Sequence, residues 1–149
     1  SHPWVMGAMA EFLERIESPE VQVLYEGLED RWNARAACLN ARLEEAGLPV
    51  RVANLSTIWT MTYTRPGRYN WMLQYYLRAE GLALSWVGTG RFIFSLNYTD
   101  ADFAEVVERI VAAARKMEAD GWWWNDGTLT DKGIRRRILK EMLVHRFLK

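Results

Sequence analysis

The sequence is poor in the residues that build disulfides and metal centres. It has one cysteine, Cys38, and two histidines, His2 and His145, among 149 residues. A single cysteine forms no internal disulfide, so a disulfide scaffold is excluded and a reducing, cytoplasmic compartment is the simpler expectation. The histidines stand at opposite ends of the chain and, with one cysteine, give no zinc-ligand spacing. We therefore predict no metal site.

Long hydrophobic runs, a leader sequence and a net charge are also missing. No apolar run approaches the ~18 residues of a membrane-spanning helix, and Ser1-His2-Pro3 lacks the charged and apolar regions of a secretory signal. Nineteen basic and nineteen acidic side chains give a formal net charge of zero. We therefore expect neither a membrane nor a nucleic acid as a partner. Because the chain does not begin with Met, we expect it to be part of a longer protein.

The residues that are present have the composition of a folded domain. Half of them are hydrophobic and 26% are charged, which is a globular balance for a chain of about one domain. Apolar spacing predicts helices over residues 5–16, 18–46, 69–80 and 99–120, and a last helix that follows Thr130. β-Branched and aromatic residues predict strands within 50–64, 82–87 and 91–96. Thr99 and Asp102 have the spacing of a shortened capping box.

Charge is distributed unevenly along the chain. Residues 1–50 carry nine acids against four arginines, a net of −5, whereas residues 129–149 carry seven basic residues against two acids, a net of +5. The basic end, with Arg135-Arg136-Arg137, could bind phosphate groups. It could instead be a solvated helix face that pairs with acidic helices of the same assembly. We favour the second interpretation and expect homo-oligomers whose association salt weakens.

Tryptophan is abundant, with eight in the chain and three together at Trp122, Trp123 and Trp124. Large aromatic side chains mostly serve burial, so this triplet is interpreted as a hydrophobic anchor at the end of a helix. The alternative is an interface with another domain or subunit, where tryptophan is enriched.

Several segments, in the right order, resemble one enzyme family. The run Phe94–Phe103, with Val106, Val107 and Ile110 after it, is similar to the end segment of class III pyridoxal-phosphate aminotransferases, especially the glutamate-1-semialdehyde aminomutase branch. His2-Pro3 with Met6-Gly7-Ala8-Met9, and Glu44–Pro49 leading into Val50-Arg51-Val52, resemble earlier segments of the same C-terminal region. The resemblance covers roughly residues 1–120.

The resemblance implies an α+β fold: a small antiparallel β-sheet of three to four strands with helices packed on one face. It divides the chain into residues 1–120, the small C-terminal domain of the enzyme, and residues 121–149, an appended Trp-rich turn and basic helix without a counterpart. In the family the cofactor lysine and most phosphate ligands lie in a larger upstream domain. That domain and a second subunit are thus the implied partners, and the parent is a cytoplasmic dimer.

For function, the resemblance implies that the parent enzyme uses pyridoxal phosphate as an aminotransferase or aminomutase, hence a transferase or an isomerase. This chain alone is expected to be inactive and to bind no cofactor, because Lys116, Lys132, Lys140 and Lys149 do not stand in the family's cofactor-lysine context. No residue is assigned a catalytic role.

One departure from the family pattern concerns the substrate. Gly90 stands where the aminomutase branch carries a glutamate that helps to hold the substrate, and Arg91 stands beside it. Gly90 and Arg91 are therefore the candidate substrate-binding residues, and Arg91 could instead be an ordinary exposed strand residue. The competing hypothesis for the whole chain is a free-standing α+β interaction module that assembles through its aromatic surface.

Overall fold

The computed structural model describes residues 2–83 and 91–147. Within these residues the chain forms six α-helices, a three-stranded antiparallel sheet and a short 3-10 helix over Asn70–Met72. In chain order the elements are α1 (Pro3–Ile16), α2 (Pro19–Tyr25), α3 (Leu28–Glu45), β1 (Val50–Leu55), β2 (Ile58–Tyr63), α4 (Leu73–Ala79), β3 (Arg91–Ile93), α5 (Asp100–Ala119) and α6 (Asp131–Phe147). The predicted α+β class is confirmed.

The sheet has the order β1-β2-β3 and buries one of its two faces under α3 and α5. Val52 pairs with Met61, and Trp59 pairs with Phe92, in antiparallel register. All four side chains are buried, because residues at alternate positions of a strand point to the same face. This alternation decides which strand residues remain available to a ligand or a partner.

An aromatic cluster joins the sheet to the two covering helices. Trp32 of α3 stacks on Phe94 with ring centroids 5.1 Å apart and meets Trp59 edge-on at 5.9 Å. Phe103 of α5 packs against Trp59 at 5.4 Å. Offset and edge-to-face pairs of this kind add to the free energy gained from area burial, so this cluster holds the helical layer on the sheet.

The predicted helix over residues 18–46 was wrong in one respect, because it is two helices. α2 ends at Tyr25 and α3 begins at Leu28. Between them Gly27 has φ +61° and ψ +20°, in the left-handed region. Glycine adopts that conformation without steric penalty, and a residue in it ends a right-handed helix.

Other boundaries also shifted. Residues 50–64, predicted to form one bent strand or two strands, form a hairpin of two strands, and the predicted helix over 69–80 begins with the 3-10 helix before α4. The last strand is shorter than the predicted 91–96, since it ends at Ile93. Of the predicted strand 82–87, residues 84–87 lie outside the described part of the chain, as does the predicted turn Gly88-Thr89-Gly90.

The two end helices differ from the rest in their exposure. Every residue of α1 and α6 is exposed apart from half-buried Ile16 and Ile134. α1 packs against α2, and a bidentate ion pair between Arg68 and Glu141 ties α6 to the loop that precedes α4. In the described ranges no helix is long and apolar enough to cross a membrane.

Candidate functional site on the open face of the sheet

The candidate residue Arg91 lies on the sheet face that α3 and α5 leave uncovered, which we call the open face. Arg91 begins β3 and is in register with Thr60, which in turn pairs with Ala53 of β1. These three positions alternate with the buried residues of the same strands, so they belong to the opposite face. Arg91 is exposed. The second candidate, Gly90, lies outside the described residues.

The open face has a polar part and an apolar part. Thr60, Thr62 and Arg91 form the polar part on β2 and β3. The apolar part is a row across the three strands, Leu55, Ile58 and Ile93, which pair with one another in register. Their side chains are 73%, 47% and 71% exposed. A contiguous apolar row of this kind is typical of a surface that another domain or subunit covers.

The chemistry of the polar part favours an anionic group. A guanidinium is always charged at neutral pH and donates in a fork that matches a carboxylate or a phosphate. Arg51, the other arginine of the open face, is engaged elsewhere: its Nη2 lies 3.3 Å from Oε2 of Glu44 and its Nη1 donates to the Val50 carbonyl. Arg91 beside Thr60 is therefore the position on this face best suited to bind a carboxylate.

The tryptophan triplet divides into two packed anchors and one exposed ring. Trp122 lies edge-on to Tyr69 at 5.2 Å, and Trp123 donates from Nε1 to the Ala114 carbonyl over 3.1 Å. Both are half-buried against the core, as the anchor interpretation expects, whereas Trp124 is 52% exposed. Trp123 also packs on Tyr63, and burial raises the pKa of Tyr63 to about 12.

The described lysines do not form a pocket for pyridoxal phosphate. Lys116 is bound at the surface by the Glu80 carboxylate, and Lys132 and Lys140 are exposed on α6; Lys149 lies outside the described residues. The cofactor needs a lysine together with a carboxylate for its ring nitrogen and donors for its phosphate. The described residues do not bring such groups together, so this part of the chain does not fit the cofactor by itself.

Asp102, in the first turn of α5, caps the N-terminus of that helix. Asp102 accepts from the Thr99 amide over 2.9 Å, and the Thr99 hydroxyl accepts from the Asp102 amide over 3.1 Å, which completes the predicted capping box. Hydrogen bonds from the Thr99 side chain and backbone lower the pKa of Asp102. Among the described residues no group of His, Cys, Asp and Glu could hold a metal ion.

Sequence reasoning missed a groove between α3 and α5 on the outer side of the helical layer. Its volume is about 460 Å³, and α3 lines it with Arg31, Arg35, Cys38 and Arg42. Their spacing of four, three and four residues marks one helix face, a signal present in the sequence. Arg35 pairs with Asp100 at 2.8 Å and Arg42 with Glu108 at 2.7 Å. These ion pairs join α3 to α5. The groove therefore follows the line along which the two helices pack.

Comparison with known proteins supports the fold by structure and not by sequence. No protein-family model matches the chain, and no curated protein matches it. A solved structure described as a transaminase with PLP bound superposes with a TM-score of 0.56 over 72% of this chain, at 19% sequence identity. The matched part of the chain thus has a transaminase-like fold. The match spans 26% of the transaminase chain, about a quarter of its length.

Proposed function

We propose that this chain is the small domain of a pyridoxal-phosphate-dependent transaminase, which moves an amino group between substrates or between carbons. The observation that carries the proposal is the structural match to about a quarter of a transaminase that has the cofactor bound. The sequence resemblance of residues 1–120 to class III aminotransferases points in the same direction. In this proposal the cofactor is bound by an upstream domain, and the parent enzyme is a cytoplasmic dimer.

The open face supports a role beside that upstream domain. Leu55, Ile58 and Ile93 are apolar and exposed on a three-stranded sheet whose other face is fully packed. Covering a large aliphatic side chain yields about 1.5–3 kcal/mol, so a second domain on this face would gain stability. Arg91 would then lie near the boundary between the two domains, where it would hold a substrate carboxylate by a bidentate hydrogen bond.

The branch of the family is a finer proposal and rests on sequence resemblance. The run Phe94–Phe103 resembles the aminomutase branch most, yet Gly90 stands where that branch carries the glutamate that helps to hold its substrate. We therefore favour an aminotransferase that acts on another substrate. Gly90→Glu in the complete enzyme should shift substrate preference toward that of the aminomutases, and an unchanged substrate profile would contradict this assignment.

The first experiment tests whether an upstream domain, and not this chain, holds the lysine that binds the cofactor. The chain is mixed with pyridoxal phosphate and reduced with borohydride, and its peptides are mapped by mass spectrometry. We expect no stoichiometric label, because the described lysines lack a cofactor pocket. The same treatment of the protein extended by the coding sequence upstream of Ser1 should label one lysine in the extension. A specific label on Lys116, Lys132 or Lys140 would contradict the proposal, as would an extension that binds no cofactor.

The second experiment tests Arg91 in that extended protein. Arg91→Met should raise the KM for the amino-acid substrate by about tenfold to a hundredfold, the range expected for losing a charge-assisted hydrogen bond. Arg91→Lys should raise it less, since a lysine keeps the charge and loses the fork. Arg78→Met, a matched loss of an exposed arginine at the end of α4, is the control. Equal KM values for the wild type, both Arg91 variants and the Arg78 control would show that Arg91 does not bind the substrate.

A free-standing interaction module is the second candidate. The observation that favours it is the exposed ring of Trp4, 85% accessible, next to other exposed apolar residues of α1. An upstream extension without a cofactor-binding lysine would favour this candidate over the enzyme.

A further inference from the structure

The groove between α3 and α5 is a cavity with an apolar floor. Its volume of about 460 Å³ lies within the range of small-molecule sites, about 300–1,000 Å³. The floor is formed by Phe103, Ala104 and Val107 of α5 together with Ala34 and Cys38 of α3. Phe103 and Val107 are buried, whereas both alanines are exposed. Because alanine side chains are small, they leave the floor open to an apolar ligand.

Two ion pairs join the walls of the groove and mark its length. Arg35 pairs with Asp100, and Arg42 pairs with Glu108. Both helices advance in the same direction from the first pair to the second, so the groove follows two parallel helices. The seven residues from Arg35 to Arg42 span about 10 Å of helix. The stretch between the ion pairs, which contains Cys38, is therefore long and narrow and suits an extended, unbranched chain.

One end of the groove has an excess of positive charge. Arg31 and Arg35 lie four residues apart on α3 and both line the groove, so they are neighbours on one helix face. Asp100, the acid at this end, pairs with Arg35. Among the described residues, the Arg31 guanidinium donates to two neutral carbonyl oxygens, those of Leu24 and Glu26, and forms no ion pair. One further negative charge would neutralise this end.

The buried guanidinium of Arg35 also points to a ligand. Its side chain is 9% exposed, and in the described part of the chain its Nε has no hydrogen-bond partner. Its Nη2 donates to Tyr98 and Asp100. A buried donor without an acceptor is unfavourable. Since the Asp100 side chain is 94% exposed, it can turn toward water and admit a second carboxylate to the guanidinium.

We propose that this groove binds an unbranched monocarboxylate of medium chain length. The carboxylate lies between Arg31 and Arg35, and the chain runs along the apolar floor toward Arg42. Burial of the chain supplies most of the affinity, and the charge-assisted hydrogen bonds fix the orientation. A polyanion is disfavoured, because Asp100 and Glu108 also line the groove. The inference does not rest on the enzymatic role proposed above.

Cys38 reports directly on occupancy, because it lines the groove and is the single cysteine of the chain. The full chain is alkylated with iodoacetamide, an uncharged reagent, at increasing octanoate below the concentration at which octanoate forms micelles. Mass spectrometry gives the rate. Octanoate should slow the alkylation to a plateau. Acetate, which lacks the chain, and octanol, which lacks the charge, should require at least about tenfold higher concentrations for the same protection.

Two variants, each with a matched control, locate the ligand. Arg31→Gln should raise the half-protecting concentration of octanoate by about tenfold or more, while Arg115→Gln, a loss of an exposed arginine of α5 outside the groove, should leave it unchanged. Ala104→Trp fills the floor and should abolish protection. Ala37→Trp, the same change at an exposed position of α3 outside the groove, should retain it.

Protection is the ratio of the alkylation rates without and with octanoate in the same variant, since a substitution can also change the reactivity of the thiol itself. Circular dichroism verifies that each variant keeps its helix content in octanoate. Arg35 is left unchanged, because its loss would also weaken the contacts to Tyr98 and Asp100.

Three results would overturn the proposal. Alkylation of Cys38 that octanoate does not slow would show that the groove holds no such chain. Equal protection by octanol would show an apolar site that does not select a carboxylate. Wild-type protection in both Arg31→Gln and Ala104→Trp would place the ligand outside this groove.

Discussion

Arg35 of α3 donates a hydrogen bond from Nη2 to Oδ1 of Asp100 over 2.8 Å and so joins two residues that stand 65 positions apart. The two ends of this ion pair differ in environment, since the Arg35 side chain is 9% exposed and that of Asp100 is 94% exposed. The same Nη2 donates to the Tyr98 carbonyl. The guanidinium carbon lies 4.7 Å from the Trp32 ring centroid. Most of the stabilisation by Arg35 therefore comes from its buried contacts.

We expect Arg35→Ala to lower the free energy of unfolding by about 2–4 kcal/mol, because it leaves the Tyr98 carbonyl without its donor and removes the cation–π contact. Asp100→Ala should lower it by less than about 1 kcal/mol, since the lost carboxylate is exposed. Urea unfolding of both variants measures the difference. Equal losses would assign the stabilisation to the ion pair instead.

The cap of α5 gives a second prediction. Thr99→Ala removes the hydroxyl that accepts from the Asp102 amide and should lower the free energy of unfolding by about 1 kcal/mol. Thr99→Ser keeps the hydroxyl and serves as the control, with a smaller loss expected. Thermal unfolding of the two variants tests this, and identical midpoints for Ala and wild type would rule out a stabilising cap.

Tyr63 should make the free energy of unfolding fall as the pH rises into the alkaline range. Its pKa is about 12 in the fold, against an ordinary value of 10, because burial disfavours the phenolate. A raised pKa in the folded state contributes stability that is complete below pH 10 and is lost as pH rises toward 12. The loss should reach about 2–3 kcal/mol. Tyr63→Phe should flatten the stability profile between pH 10 and 12, and an unchanged slope would contradict the assignment.

The ion pair that attaches α6 to the loop before α4 should weaken at acidic pH. The hydrogen bond from Arg68 lowers the pKa of Glu141 below its ordinary value of 4.5. A depressed pKa means that the attachment is complete above pH 4.5 and is lost as pH falls through the lower value in the fold. The protection factors of the α6 amides, which are exchange rates corrected for their intrinsic pH dependence, should therefore fall upon acidification. Glu141→Gln should lower these protection factors already at neutral pH, while Glu118→Gln, an exposed acid of α5, should not.

Residue patterns predicted most of the helices and strands, because interactions between residues close in the sequence determine where these begin and end. The apolar spacing from Phe103 to Met117 and the cap at Thr99 gave α5 with nearly correct ends, since both depend on neighbours within one or two turns. The break at Gly27 was missed because apolar spacing continues across it. A single glycine is tolerated within many helices, and here the tertiary structure selects its left-handed conformation.

The candidate site was predictable only in part. Arg91 was named because the family resemblance places its neighbour Gly90 at a substrate-holding position, whereas its pairing with Thr60 and its place beside an exposed apolar row depend on strand register. Register comes from contacts between residues far apart in the chain, such as Trp59 with Phe92. The groove between α3 and α5 was not predicted for the same reason, because its two walls meet only in the folded protein.

The sequence by itself determined the position of most helices, the capping box of α5 and the opposite charges of the chain's two ends, since each follows from composition or from spacing within a few residues. Only the tertiary structure decided that α3 and α5 bury one face of the sheet and leave Arg91 on the other. It also decided that Trp122 and Trp123 are anchors while Trp124 is exposed. Three adjacent tryptophans are chemically identical, and the packing of distant elements around each ring determines which of them water can reach.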